Sequence, residues 1–146
     1  MAAGINRGVC CPEPERPQEE MNTVEKSFKS ANTILYCRKW KQTVAFYRDR
    51  LRLPVNFSNE WFVEFCLTDA SRISIADEIR ASVNSSHGAG FTLALEVREI
   101  ESVWADMESA GIGPTEIRNH HFGARVFYFY DPEGHRIEIW QNPAAM

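Results

Sequence analysis

The chain carries the same plan twice. Arg72-Ile73-Ser74-Ile75-Ala76-Asp77 is echoed by Arg136-Ile137-Glu138-Ile139-Trp140-Gln141, and each is preceded by an apolar run that leads into a helical pattern, Asn32 to Cys37 in one copy and Phe91 to Val97 in the other. The offset between copies is 60 residues from Asn32 to Thr92 and from Pro54 to Pro114, and 64 from Ser74 to Glu138, so the second copy holds four extra residues, placed around Asn119 to Gly123. A duplicated module restricts the fold strongly, because both copies must bury the same pattern of side chains. Paired modules also tend to build a site between them.

Within the first copy, Trp40, Val44, Tyr47 and Leu51 recur at spacings of four, three and four, which predicts a helix over 40–52 that Pro54 ends. Strands are expected near 32–38, 55–58, 61–67 and 72–76. The second copy repeats the order: a strand at 91–97, a helix at 98–110 with Ile100, Val103, Trp104 and Met107 inward, and strands near 115–119, 125–131 and 135–141. Gly111 and Gly113 stop that helix. Asp131-Pro132-Glu133-Gly134 reads as a tight turn, with Pro preset for the second position and Gly at the fourth. The expected class is α+β, with two tandem βαβββ modules (31–78 and 91–142) joined by a polar linker at 79–90. They should form one domain, a cupped, barrel-like mixed sheet with helices outside. Residues 1–30 are rich in Pro, Glu and Gly without a hydrophobic period, and read as a disordered tail.

At 146 residues and 44% hydrophobic content the chain can close one core. A formal charge of −4 argues against a nucleic-acid surface, which needs clustered cations, and leaves a neutral or cationic small molecule as the better partner. No apolar stretch is long enough to span a membrane and the N-terminus lacks the basic-then-apolar order of a secretory signal, so a soluble, cytoplasmic protein is expected. Cys10, Cys11, Cys37 and Cys66 lack CxxC spacing and read as reduced thiols.

Strand alternation sorts side chains to two faces. Val63, Phe65, Phe127, Phe129, Ile137 and Ile139 belong to the helix-packing face. The opposite face then carries Asn32, Ile34 and Tyr36; Phe62, Glu64 and Cys66; Thr92, Ala94 and Glu96; Val126, Tyr128 and Tyr130; and Arg136, Glu138 and Trp140. These are the residues expected to line a concave cup, aromatic and acidic in character, suited to a planar or cationic organic ligand.

The βαβββ repeat, the segment Ala45-Phe46-Tyr47-Arg48-Asp49 before Leu51-Arg52-Leu53, and Phe122-Gly123-Ala124-Arg125 followed by Tyr130-Asp131-Pro132-Glu133-Gly134-His135-Arg136-Ile137-Glu138-Ile139 resemble the glyoxalase/bleomycin-resistance/dioxygenase superfamily, the vicinal oxygen chelate proteins. The resemblance covers about residues 31–142. It implies metal ligands at four strand positions, which here are Asn32, Ser74, Thr92 and Glu138. Only Glu138 is a good ligand for a divalent transition metal, so a cofactor is not expected, although a divalent metal remains the alternative. The resemblance also implies a homodimer, since members often hold ligands between subunits.

Glu138 is the principal candidate, as ligand anchor or catalytic base, with a hydrogen-bonded structural role through Arg136 or Asn32 as the competing reading. Ligand-binding candidates are Asn32, Tyr36, Phe62, Glu64, Thr92, Tyr128, Tyr130, Arg136, Glu138 and Trp140. His120, His121 and His135 could form an improvised metal or acid/base site, or be surface loop histidines; adjacent residues on an extended chain point apart, so at most one of His120 and His121 faces the cup. Three functions follow: metal-independent binding of a planar or cationic compound, a metal-dependent lyase, isomerase or dioxygenase relative, and a dimeric scaffold with a filled cup.

Overall fold

The computed structural model describes residues 27–143; the expectation of a disordered tail falls mostly on residues outside that span. Each module forms one four-stranded mixed sheet. In the first, β1 (Ala31–Cys37), β2 (Val55–Ser58), β3 (Phe62–Thr68) and β4 (Ser71–Asp77) lie in the order β1-β4-β3-β2. In the second, β5 (Thr92–Glu96), β6 (Arg118–Asn119), β7 (Arg125–Tyr130) and β8 (Arg136–Gln141) lie in the order β5-β8-β7-β6. The registers correspond: Glu64 faces Ser74 as Tyr128 faces Glu138, and Asn32 faces Arg72 as Thr92 faces Arg136. First and last strands of each module run parallel, which requires a crossover, and a helix supplies it. These helices are α1 (Trp40–Ala45) and α2 (Ile100–Ser109).

The helix expected at 40–52 has a change of winding. After Ala45 the backbone widens into a π-helical turn, Phe46–Arg50, in which the Leu51 amide bonds to the Phe46 carbonyl five residues back. This turn sets Tyr47 deep in the core and its hydroxyl on the Asp131 carboxylate at 2.8 Å. The sixth strand is shorter than the expected 115–119. The Thr115 amide donates to the Tyr128 carbonyl, but the return bond from the Tyr128 amide goes to the Thr115 hydroxyl, because its carbonyl takes the Trp104 indole N–H, and the regular ladder starts at Arg118.

One core serves both modules. Leu35, Val63, Phe65, Ile73 and Ile75 of the first sheet cluster with Phe127, Phe129, Ile137 and Ile139 of the second, and Val44, Phe46, Tyr47 and Ile100 of the helical segments lie among them. The Phe46 ring lies 6.1 Å from Phe129, and Tyr47 lies 6.1 Å from Phe65, so α1 and its extension bridge the sheets. Each such fully buried large side chain contributes about 1.5–3 kcal/mol of hydrophobic stabilisation. The sheets stay separate, cupped and unclosed, with strand pairing only inside each module among the described residues.

The Asp131–Gly134 turn ties the modules together. Asp131 Oδ1 accepts from the amides of Glu133, Gly134 and His135, and its Oδ2 meets the Tyr47 hydroxyl and His135 Nδ1, both at 2.8 Å. Glu133 reaches into the other module. Its carboxylate accepts the Arg38 and Lys39 amides at 2.8 and 2.7 Å, supplying the N-terminal cap that α1 lacks from its own segment, and takes the Ser85 hydroxyl of the linker. In α2 the same need is met within the module, by Gln141 Oε1 accepting the Ile100 amide at 2.8 Å. The linker also touches the turn directly: a Cβ on Gly88, whose φ is +81°, would lie 2.1 Å from the Gly134 carbonyl oxygen, so only glycine permits the approach.

Burial raises the Cys37 thiol, and the nearby Asp131 and Glu133 carboxylates raise it further. Cys37 is free and inert in the core. Cys66, on the opposite face of its sheet, is disulfide-bonded, which corrects the expectation of reduced thiols throughout.

Candidate functional site

The residues expected to line the cup lie on the face of each sheet opposite the shared core, one set from each module. Asn32, Tyr36, Phe62, Glu64 and Ser74 belong to the first module's face; Thr92, Tyr128, Tyr130, Arg136, Glu138 and Trp140 belong to the second's.

On the first face the polar groups bind one another. Ser74 donates to Asn32 Oδ1 at 2.8 Å, Asn32 Nδ2 donates to Glu64 Oε1 at 3.3 Å, and Asn56 Nδ2 donates to Glu64 Oε2 at 2.6 Å. Glu64 is only 3% exposed, so these bonds offset the cost of burying its carboxylate. Tyr36 and Phe62 are half-buried farther along the same face, with Phe62 edge-on to Trp61 at 5.6 Å.

The second face is arranged differently. Arg136 donates from Nε to the Thr92 hydroxyl at 2.8 Å, and its guanidinium lies 4.9 Å over the Tyr128 ring. Tyr130 is 56% exposed at the end of its strand, beside a hollow reached from the α1 side and away from Glu138. Glu138 makes neither of the anticipated bonds, since Arg136 turns to Thr92 and Asn32 lies on the other face. Half-buried, its carboxylate has no hydrogen-bond or ion-pair partner among the described residues. It lines a recess of ≈ 140 Å³ with His120, Ala124, Val126 and Trp140. His120 was one of the two adjacent candidates in the expanded loop, and it is the one that borders the recess; His121 is exposed beside it.

His135 is not a surface histidine. It is 4% exposed, bonded to Asp131 and edge-on to the Phe91 ring at 5.3 Å. Sequence reading identified the Asp131–Gly134 turn but missed the work of its carboxylates. The available signal was two acids and a histidine packed into five residues between two strongly apolar strands. For Glu133 burial alone would raise the carboxyl, but the Ser85 hydroxyl, the Arg38 and Lys39 amides and His87 outweigh it and hold the group below the ordinary glutamate value.

The four positions that the resemblance marks for a metal do not fit one. Asn32 and Thr92 oxygens already accept hydrogen bonds from Ser74 and Arg136, three of the four groups are neutral, and the positions divide between two separate sheets. Among the described residues no cluster of three or more His, Cys, Asp or Glu side chains could hold an ion.

Comparison with known proteins agrees with this architecture. The chain is 29% identical over 122 residues to the protein YraH of Bacillus subtilis (strain 168), covering 73% of this chain and 93% of that one. Among solved structures, lactoylglutathione lyase from Agrobacterium tumefaciens superposes with a TM-score of 0.64 at 18% identity, over 76% of this chain and 91% of that one. The bleomycin resistance determinant encoded on the transposon Tn5 gives 0.63 at 17% identity, over 78% and 98%. At these identities the solved structures establish a common fold and nothing finer. The profile of the glyoxalase-like domain matches residues 30–142, the whole two-module body, and the chain belongs to that family.

Proposed function

We propose that the protein binds a planar or cationic small molecule without a metal, on the outer face of its second module. One observation carries this reading: the Glu138 carboxylate stands half-buried and unpartnered in a recess walled by Trp140, Val126 and His120. The carboxylate is reached by solvent and makes no bond within the described residues, so a ligand cation or N–H can pair with it without displacing an internal partner. Trp140 and the neighbouring Tyr128 provide ring faces for a flat or positively charged group. The recess is shallow and small for a whole ligand. A homodimer that sets a second copy over this face would deepen it.

His120 favours a second reading. It borders the same recess as Glu138, so the two could act as general acid and base on a bound substrate.

The test is a thermal-shift screen of aromatic cations and neutral heteroaromatics, with metal content measured on the same preparation. We expect binding in metal-free protein that weakens roughly ten- to a hundredfold in Glu138→Gln, the loss of one charge-assisted hydrogen bond. Stoichiometric metal that disappears in Glu138→Gln would sink the proposal. Turnover abolished by His120→Ala with binding intact would establish the acid/base reading instead.

A further inference from the structure

The second outer face leaves an anion without a partner; the first leaves a cation. Arg72 lies on β4 opposite Cys66 on one side and Asn32 on the other, and it turns to the outer face because its neighbour Ile73 is wholly buried in the core. Its Nε is buried and is the one buried side-chain N or O without a hydrogen-bond partner among the described residues. No acid of the described residues forms an ion pair with its guanidinium.

The surroundings explain why. The side-chain acceptors of the same face on the flanking strands are engaged: Asn32 Oδ1 takes the Ser74 hydroxyl, and the Glu64 carboxylate takes Asn32 and Asn56. The duplicated module supplies an internal control. Arg136 occupies the equivalent register position, and there a threonine at the place of Asn32 accepts the Nε proton while Tyr128, at the place of Glu64, takes the guanidinium on its ring. So an arginine at this position is readily satisfied by its own module, and Arg72 is not.

We propose that Arg72 is the anchor of an oxyanion site on the outer face of the first module, taking the carboxylate or phosphate group of a small molecule. Guanidinium offers Nε–H and one Nη–H as a parallel pair of donors, which match two oxygens of one acid group. The side chain as a whole is half-buried while its Nε is buried, so an acid group seated on the exposed part of the guanidinium reaches Nε once the side chain turns slightly outward. The site is separate from the Glu138 recess and stands whether or not that recess binds anything.

The arginine Nε–Hε resonances of full-length protein, followed by nitrogen-15 NMR during titration with inorganic phosphate and with succinate at constant ionic strength, test this directly. The Arg72 signal, identified by its loss in Arg72→Gln, should move saturably while that of Arg136 stays in place. Arg72→Lys keeps the charge but not the paired donors, and should weaken the saturable thermal shift at least tenfold. The site is refuted if the Arg72 signal does not move, if it moves without saturating as chloride alone would cause, or if Arg72→Lys and Arg72→Gln respond to both anions as wild type does. It is also refuted if the signal is displaced before any anion is added and reverts in Glu138→Gln, because the acceptor is then the carboxylate of a second copy.

Discussion

The two modules share topology, register and strand order, and they treat charge in opposite ways. In the first, the carboxylate is satisfied and the arginine is not: Glu64 is held by Asn32 and Asn56, and Arg72 Nε has no acceptor. In the second, the arginine is satisfied and the carboxylate is not: Arg136 is held by Thr92 and Tyr128, and Glu138 stands open. The cause is a pair of substitutions at equivalent places, Asn32 against Thr92 and Glu64 against Tyr128. Duplication preserved the backbone, and a few side chains decided which polar group each copy leaves available.

The sharpest way to break this contrast is to cut the tie between the copies. Asp131→Ala strands three amides, the Tyr47 hydroxyl and His135 in a dry site, and should cost about 4 kcal/mol or more, a fall of roughly 15 °C in Tm by calorimetry. A loss under about 1 kcal/mol would mean that the modules hold together without the turn. Next in size, Glu64→Ala should cost about 1–3 kcal/mol in urea unfolding, because it empties a buried network and strands Asn32 and Asn56. Acid should act through Glu133. Its carboxyl is held low in the folded state, so the stability it contributes is full above the ordinary glutamate value and is lost as pH falls through the lower folded value. Glu133→Gln should flatten that acid limb of the Tm profile; an unchanged limb would remove Glu133 as its cause. Smallest of all, Glu138→Gln should shift stability by no more than about 0.5 kcal/mol, since no bond is lost. Equal costs for Glu64→Ala and Glu138→Gln would erase the distinction between a closed and an open face.

Much of the fold was legible because strand alternation and helical spacing are local. Phe65, Phe127, Phe129, Ile137 and Ile139, expected inward from their periodicity, are each no more than 1% exposed. The π-helical turn at Phe46–Arg50 and the incomplete pairing at Thr115 were not legible, as both involve distant partners, Asp131 and Trp104. Alternation also assigns a residue to a face without saying where that face points. Glu64 and Glu138, both read onto the face opposite the core, are found on two separate sheets. The state of a single carboxylate was hardest to read. Nothing in Arg136-Ile137-Glu138 tells that the arginine prefers a threonine across the sheet to the acid two residues on.

The cap on α1 bears on how the protein is made. The amides of Arg38 and Lys39 are satisfied by a residue 95 and 94 positions later, and Tyr47 finds its acceptor 84 positions later. A ribosome that has delivered the whole first module has therefore delivered a helix without its N-terminal partner and a tyrosine hydroxyl with nowhere to donate. The bonds that complete the first half come from Asp131 and Glu133 of the second, and such non-local pairing should slow folding relative to a module that closes on itself.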